Sequence, residues 1–292
     1  LLQDILHGEW GYDGAVVTDW GGSNDHVEGV REGSTLEMPC PGFGSAKRLM
    51  QAVADGRLPE SAVDARVDEL LELVFTTDAA VQAAPKRFDR DAHHALARRA
   101  AAESVVLLKN EDDLLPLKPG QSVALIGDFA QTPRYQGAGS SSVNATRVDN
   151  LKDAAEADDI TLAGFCAGYE RSGTPNPAFV EEAAALARKA DVVVLCMGLD
   201  ESSESEGLDR SHICIPENQK QLLEAVAQAN ENLVVVLSAG SVVETGWVSR
   251  CKAVLHAYLG GQAGAGAIMD VLTGRVNPSG KLAETLPLTY ED

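Results

Sequence analysis

Two stretches of this sequence end an apolar run in acid. Gly14-Ala15-Val16-Val17-Thr18 leads into Asp19-Trp20, and Asp191-Val192-Val193-Val194-Leu195-Cys196-Met197-Gly198 leads into residues 199–210, which carry Asp200, Glu201, Glu204, Glu206 and Asp209. Apolar, β-branched runs of this length read as buried strands. In parallel α/β architectures the C-terminal ends of strands open onto the functional face, so a carboxylate delivered there is placed to meet a ligand. The indole of Trp20 offers a flat apolar surface that suits the C–H face of a sugar ring. Each feature also has a plainer reading. Asp19 can end a strand and cap the next turn, Trp20 can fill a core, and an acid-rich loop can be a solvated surface.

The elements that must position these residues alternate along the chain. Leu2, Ile5 and Leu6 mark an amphipathic helix that runs into a strand at 14–19; a second strand follows at 34–38. Helical sequence follows each, and the last helix starts after Pro59 with Val63, Val67, Leu70, Leu71 and Val74 at helical spacing. Residues 1–75 therefore read as two βα units, and 76–88, which lose periodicity and carry Pro85, as a linker. Residues 89–292 read as a second domain. Its strands are expected at 123–127, 160–163, 191–197, 233–238 and 253–258, with helices near 92–108, 178–190, 217–230 and 262–273 and an edge strand at 281–287. That alternation predicts a doubly wound, mainly parallel sheet. The sequence opens at Leu1 without a Met and stops at Asp292 without a closing helix, as expected of a piece of a longer protein.

Composition narrows the partners. The 292 residues, 45% of them hydrophobic, suit one large or two ordinary domains with real cores. No run approaches the roughly 18 to 20 apolar residues of a membrane span. A net charge of −20 would repel phosphates and anionic lipid surfaces, so no nucleic acid or membrane partner is expected and a neutral or cationic one is. Cys40, Cys166, Cys196, Cys214 and Cys251 are scattered and odd in number, which indicates thiols, and Cys196 lies in an apolar strand as a small hydrophobe. The six histidines show no ligand spacing, and no metal is expected. Gln136-Gly137-Ala138-Gly139-Ser140-Ser141 lacks the third glycine of a dinucleotide fingerprint and opens no helix. Gly260-Gly261-Gln262-Ala263-Gly264-Ala265-Gly266 does precede a helix, where its backbone N–H groups could cradle an anion, though its small residues better suit close packing of helix on strand. A homo-oligomer is left open.

Several blocks in series resemble glycoside hydrolase family 3. They are Gly14 to Gly22, Leu36-Glu37-Met38-Pro39, Ala102 to Glu111, Glu204-Ser205-Glu206-Gly207-Leu208-Asp209-Arg210, Val235 to Ser241, Tyr258-Leu259-Gly260-Gly261-Gln262 and Asn277-Pro278-Ser279-Gly280-Lys281-Leu282. The resemblance runs almost end to end. It implies the C-terminal part of a (β/α)8-type barrel followed by an α/β/α sandwich domain. It also implies a retaining β-glycosidase, foremost a β-glucosidase with β-xylosidase as its neighbour, acting without a cofactor on neutral β-linked glycosides or oligosaccharides. By resemblance Asp19 is the nucleophile, Glu206 the acid/base and Trp20 part of a platform for the sugar. Leu208 departs from the family, which often carries Tyr there. A full barrel needs on the order of 250 residues, of which about 75 are here. The other reading is therefore an inactive fragment whose sheet domain is a carbohydrate-binding or interaction module.

Retention requires two carboxyl groups roughly 5 to 5.5 Å apart, one ionised and one protonated. The neighbouring acids are expected to raise the pKa of Glu206, Arg210 is expected to pair with Asp209, and Glu204 is the rival for the acid/base role. Asp13, Asp25 and Glu37 read as turn, surface or rim residues.

Overall fold

The computed structural model describes residues 1–40, 42–85 and 87–292 and resolves into two compact units, Leu1–Phe88 and Asp89–Asp292. The second is an α/β unit built on six strands: β1 (Val106–Asn110), β2 (Ser122–Ile126), β3 (Thr161–Cys166), β4 (Val192–Gly198), β5 (Leu233–Ser238) and β6 (Ala253–His256). They lie in the order β1-β6-β5-β4-β2-β3, parallel throughout except for β1, which runs antiparallel to β6.

Alternation along the strands divides the core in two. Val123, Leu125, Val192, Val194, Val234, Val236 and Leu255 face one side, where they pack with Leu151 and Ala155 of α5 (Leu151–Glu156) and Met269 and Leu272 of α8 (Gly264–Leu272). Ala124, Ile126, Val193, Leu195, Val235, Leu237 and Val254 face the other, against Ala183 and Ala187 of α6 (Pro177–Ala187) and Leu222, Leu223 and Val226 of α7 (Glu217–Ala229). Every residue of β4 is buried, as a central parallel strand covered on both faces must be. Fully burying one such side chain is worth about 1.5–3 kcal/mol. The helices start where side chains satisfy their first N–H groups: Asp89 caps α4 (Arg90–Ser104), Asn150 caps α5, and Asn176, followed by Pro177, caps α6.

Five strands of this sheet lie where the alternation predicts them; the edges differ. The helix expected over 92–108 ends at Ser104, and Val106–Asn110 form β1. A short apolar run reads equally well as the end of a helix or as a strand, and the open edge of β6 decides it. The edge strand expected at 281–287 does not form. Pro278 and Pro287 limit backbone donors there, and the segment is held at single points, with Gly280 N–H on the Val105 carbonyl (3.1 Å) and Thr245 N–H on the Pro287 carbonyl (2.9 Å).

The first unit has a helix at Leu2–Glu9 with i→i+5 bonds, then α1 (His26–Arg31), α2 (Phe43–Ala54) and α3 (Glu60–Ala83). Its core is small: Val27, Val30, Ala52 and Leu58, with Leu49, Val53, Ala62 and Val63 against them. The strands expected at 14–19 and 34–38 reduce to one parallel bridge, Val17 to Leu36, supported by Thr18 N–H on the Leu36 carbonyl (3.0 Å) and Leu36 N–H on the Val16 carbonyl (3.1 Å). Parallel pairing is stable as part of a sheet covered on both faces, and here Val17 is 49% exposed. The stretch read as a linker is helical through Ala83. The alanines at 79, 80 and 83 favour helix, and Ala84, extended because it precedes Pro85, ends it.

Three thiols are buried, and burial pushes them up: Cys166 and Cys196 to about 12 and Cys251 to about 11. Cys214 is half-buried with its thiol also raised by burial and then by the Glu244 carboxylate, and Cys40 is exposed.

Candidate active site

The sheet order reverses between β2 and β4, because the chain leaves β2 toward β3 on one side and continues from β4 through β5 and β6 on the other. Open α/β sheets bind ligands in the crevice that such a reversal leaves at the C-terminal ends of the strands. Here the loop after β4 carries the acids, and the loop after β2 carries the glycine-rich word. Gly198 closes β4 at φ +148, where a Cβ would run into the Ser238 carbonyl, and its N–H and C=O both bond the side-chain amide of Gln219 (2.8 and 3.0 Å). The acidic loop therefore leaves from a fixed point.

The two loops meet at Glu206. Ala138 and Ser205 form a parallel bridge, Glu206 N–H donates to the Ala138 carbonyl (3.1 Å), and Ser140 N–H donates to Glu206 Oε2 (2.5 Å). Gly139, at φ +98, makes room: a Cβ there would stand 2.6 Å from Glu206 Cβ and 2.8 Å from Oε2. Gln136 braces the loop by accepting from Val143 N–H (3.0 Å) and donating to its carbonyl (3.3 Å). Glu206 itself is exposed, at the rim of a cavity of about 640 Å³ also lined by Arg134, Leu208, His212 and Tyr290.

Ser140, through its side chain and then its N–H, holds the Glu206 carboxyl below its ordinary value. This corrects the expectation that neighbouring acids raise it. Asp200, Glu201 and Glu204 are already compensated. Asp200 accepts from Ser203 N–H (2.9 Å), Ser203 Oγ (2.7 Å) and Ser202 Oγ (2.9 Å); burial pushes its carboxyl up, but these bonds outweigh burial and leave it low. Glu201 pairs with Arg171 at 3.3 Å. Arg210 does not pair with Asp209 among the described residues; it donates to the Val242 carbonyl, a backbone acceptor that sequence does not reveal.

Glu204 has a different setting from its rival. Both of its carboxylate oxygens accept from Gly240 N–H (3.0 Å each), Oε1 also accepts from Ser241 Oγ (2.5 Å), and Arg134 stands 3.6 Å from Oε2. A carboxylate so engaged is a fastener, whereas Glu206, among the described residues, accepts from Ser140 alone.

Asp19 and Trp20 lie in the first unit and are both exposed, Trp20 by 64%. Asp19 Oδ1 accepts from Trp20 N–H (2.7 Å) and its carbonyl from Gly22 N–H (2.9 Å), the turn-capping geometry that was its plainer reading. Thr18 fastens this end to the second run, its hydroxyl accepting from Met38 N–H (2.8 Å).

Residues 105–292 match the Glycosyl hydrolase family 3 C-terminal domain. The chain belongs to glycosyl hydrolase family 3. Among similar family 3 proteins, thermostable beta-glucosidase B of Acetivibrio thermocellus is 48% identical over 99% of this chain and 38% of its own length. An exo-alpha-(1->6)-L-arabinopyranosidase of Bifidobacterium breve is 43% identical over 100% of this chain and 40% of its own. The crystal structure of a Bifidobacterium adolescentis GH3 beta-glucosidase superposes with a TM-score of 0.91 at 43% identity, covering 99% of this chain and 42% of that one. The chain thus spans about two fifths of the length of these family 3 relatives. What sequence reasoning missed in this family 3 sheet is the second loop of the site. The word from Gln136 to Ser141 falls short of a dinucleotide fingerprint, yet its gap at Gly139 and the N–H of Ser140 receive a side-chain carboxylate of the same chain. A glycine-serine word in the loop after the neighbouring strand was the available signal.

Proposed function

We propose that the protein of which this chain is part is a retaining β-glycosidase, foremost a β-glucosidase, in which Asp19 attacks the anomeric carbon and Glu206 serves as acid and then base. Residues 1–75 supply two βα units of its barrel, and Trp20 offers its face to the sugar. The observation that carries the reading is the contrast within one loop: Glu206 is exposed and presented by a second loop at the sheet's reversal point, while Glu204 is tied down. In the first step Glu206 gives its proton to the departing glycosidic oxygen as Asp19 forms the glycosyl ester. In the second it takes a proton from the water that breaks that ester. The bond from Ser140 favours the carboxylate, the form the second step needs; exclusion of water by bound substrate pushes the same carboxyl up for the first. The relatives named for beta-glucosides and for an arabinopyranoside leave the sugar itself to be measured.

The test is trapping with a 2-deoxy-2-fluoro glycoside in the full-length protein, followed by peptide mapping. The label is expected on Asp19, and a label on any other carboxylate would overturn the assignment. A panel of aryl β-glucoside, β-xyloside and α-L-arabinopyranoside ranks the substrates, with the β-glucoside expected first.

A further inference from the structure

Arg134 is the most deeply buried charge of the second unit, 2% exposed, and none of its guanidinium nitrogens has a hydrogen-bond partner among the described residues. Its ion-pair partner is Glu204, at 3.6 Å. Arg134 lies in the loop after β2, the same loop that reaches Glu206 through Ala138 and Ser140. Glu204 lies two residues before Glu206 and is also bonded to Gly240 and Ser241 in the loop after β5. The contacts close a ring: Arg134 to Glu204, along the chain to Glu206, across to Ser140, and back along 140–134. Two attachment points two residues apart fix the rotation of the segment as well as its position.

The geometry points to Arg134 and Glu204 as positioning residues that aim the Glu206 carboxyl at the departing oxygen; the inference rests on the reading of Glu206 as proton donor. A buried ion pair adds little net stability over well-packed apolar side chains, so its content here is orientation. Each partner also needs the other, since removing one leaves a buried charge unpaired. A displacement of about 1 Å at a reacting group can cost on the order of a hundredfold.

The experiment compares kcat/KM, which reports the glycosylation step, for cellobiose and for 2,4-dinitrophenyl β-glucoside in the full-length protein. Because the ratio of the two is independent of the fraction of folded enzyme, it reads aim rather than stability. Glu206→Ala, which removes the donor, should favour the dinitrophenyl substrate by about 10²- to 10⁴-fold. Glu204→Gln and Arg134→Met should each shift the ratio the same way by about ten- to a hundredfold, with the double variant no worse than the worse single one. Arg134→Lys, which keeps a charge for Glu204, should recover most of the loss, and Ser241→Ala should show a smaller shift in a protein lacking just one bond. Azide should accelerate breakdown of the glycosyl-enzyme in Glu206→Ala alone. If Glu206→Ala shifts the ratio and Glu204→Gln and Arg134→Met do not, the positioning role is overturned while the acid/base reading stands. If Glu206→Ala leaves the ratio unchanged, or azide rescues Glu204→Gln, the acid/base reading itself is overturned.

Discussion

The two units carry their candidate carboxylates at the ends of similar apolar runs, yet their surroundings differ. Glu206 follows a strand with neighbours on both sides and helices on both faces, and its loop is held by two others. Asp19 follows a run that shares one bridge with a single partner, and its side chain caps the next turn. The lesson is that an apolar run encodes a strand only in company. Val16-Val17-Thr18 and Val193-Val194-Leu195 differ little in propensity and greatly in what lies beside them.

The largest effect expected from breaking this comparison is at Asp19. In the full-length protein Asp19→Ala should abolish turnover with the circular dichroism spectrum unchanged, and azide should return an inverted product, seen by NMR of the anomeric proton. The 292-residue chain alone should hydrolyse aryl β-glucosides negligibly, because the run that carries Asp19 has one bridge to hold it; a normal glycosidase rate from this chain would refute that. Next in size is a packing contrast read by urea unfolding. Leu195→Ala, in the middle of β4 and fully buried, should cost about 2–5 kcal/mol. Val17→Ala, half-exposed on the bridge, should stay within about 0.5 kcal/mol.

The smallest effect sharpens the comparison at Glu206. Its carboxyl should titrate below the ordinary glutamate value by carbon-detected NMR, since Ser140 bonds the charged form. A carboxyl lowered in the folded state contributes stability that is present above its unfolded pKa and is lost as pH falls through the folded one. The Ser140 contact should therefore weaken on acidification below the usual glutamate range, and not on raising the pH. Gly139→Ala, which sets a Cβ against Glu206, should return the carboxyl toward its ordinary value.

The parallel strands and most of the helices between them were legible because their apolar runs are bounded by turn residues. Val106–Asn110 was not, since five apolar and polar residues after a helix become a strand through the open edge of β6. Leu151–Glu156 is too short to show a period, and its Asn150 cap is plain in retrospect. At the site, resemblance favours Glu206 over Glu204, while the physical reason for the different settings of the two carboxylates was not legible in the sequence. That reason lies in Gly240, Ser241 and Arg134, each far along the chain from the carboxylate it holds. The direction of the Glu206 shift was missed for the same cause: Asp200, Glu201 and Glu204 were counted as bare charges, when serines and arginines already answer them.

The distribution of the thiols has a practical consequence. Maleimides react with thiolates, and burial keeps Cys166, Cys196 and Cys251 protonated and out of reach, while the raised thiol of Cys214 slows it. Cys40 alone of the five is exposed. Brief labelling of the 292-residue chain at neutral pH should therefore attach a single dye to its first unit, giving a fluorescent reporter in the unit of Asp19 without altering any residue of the sheet.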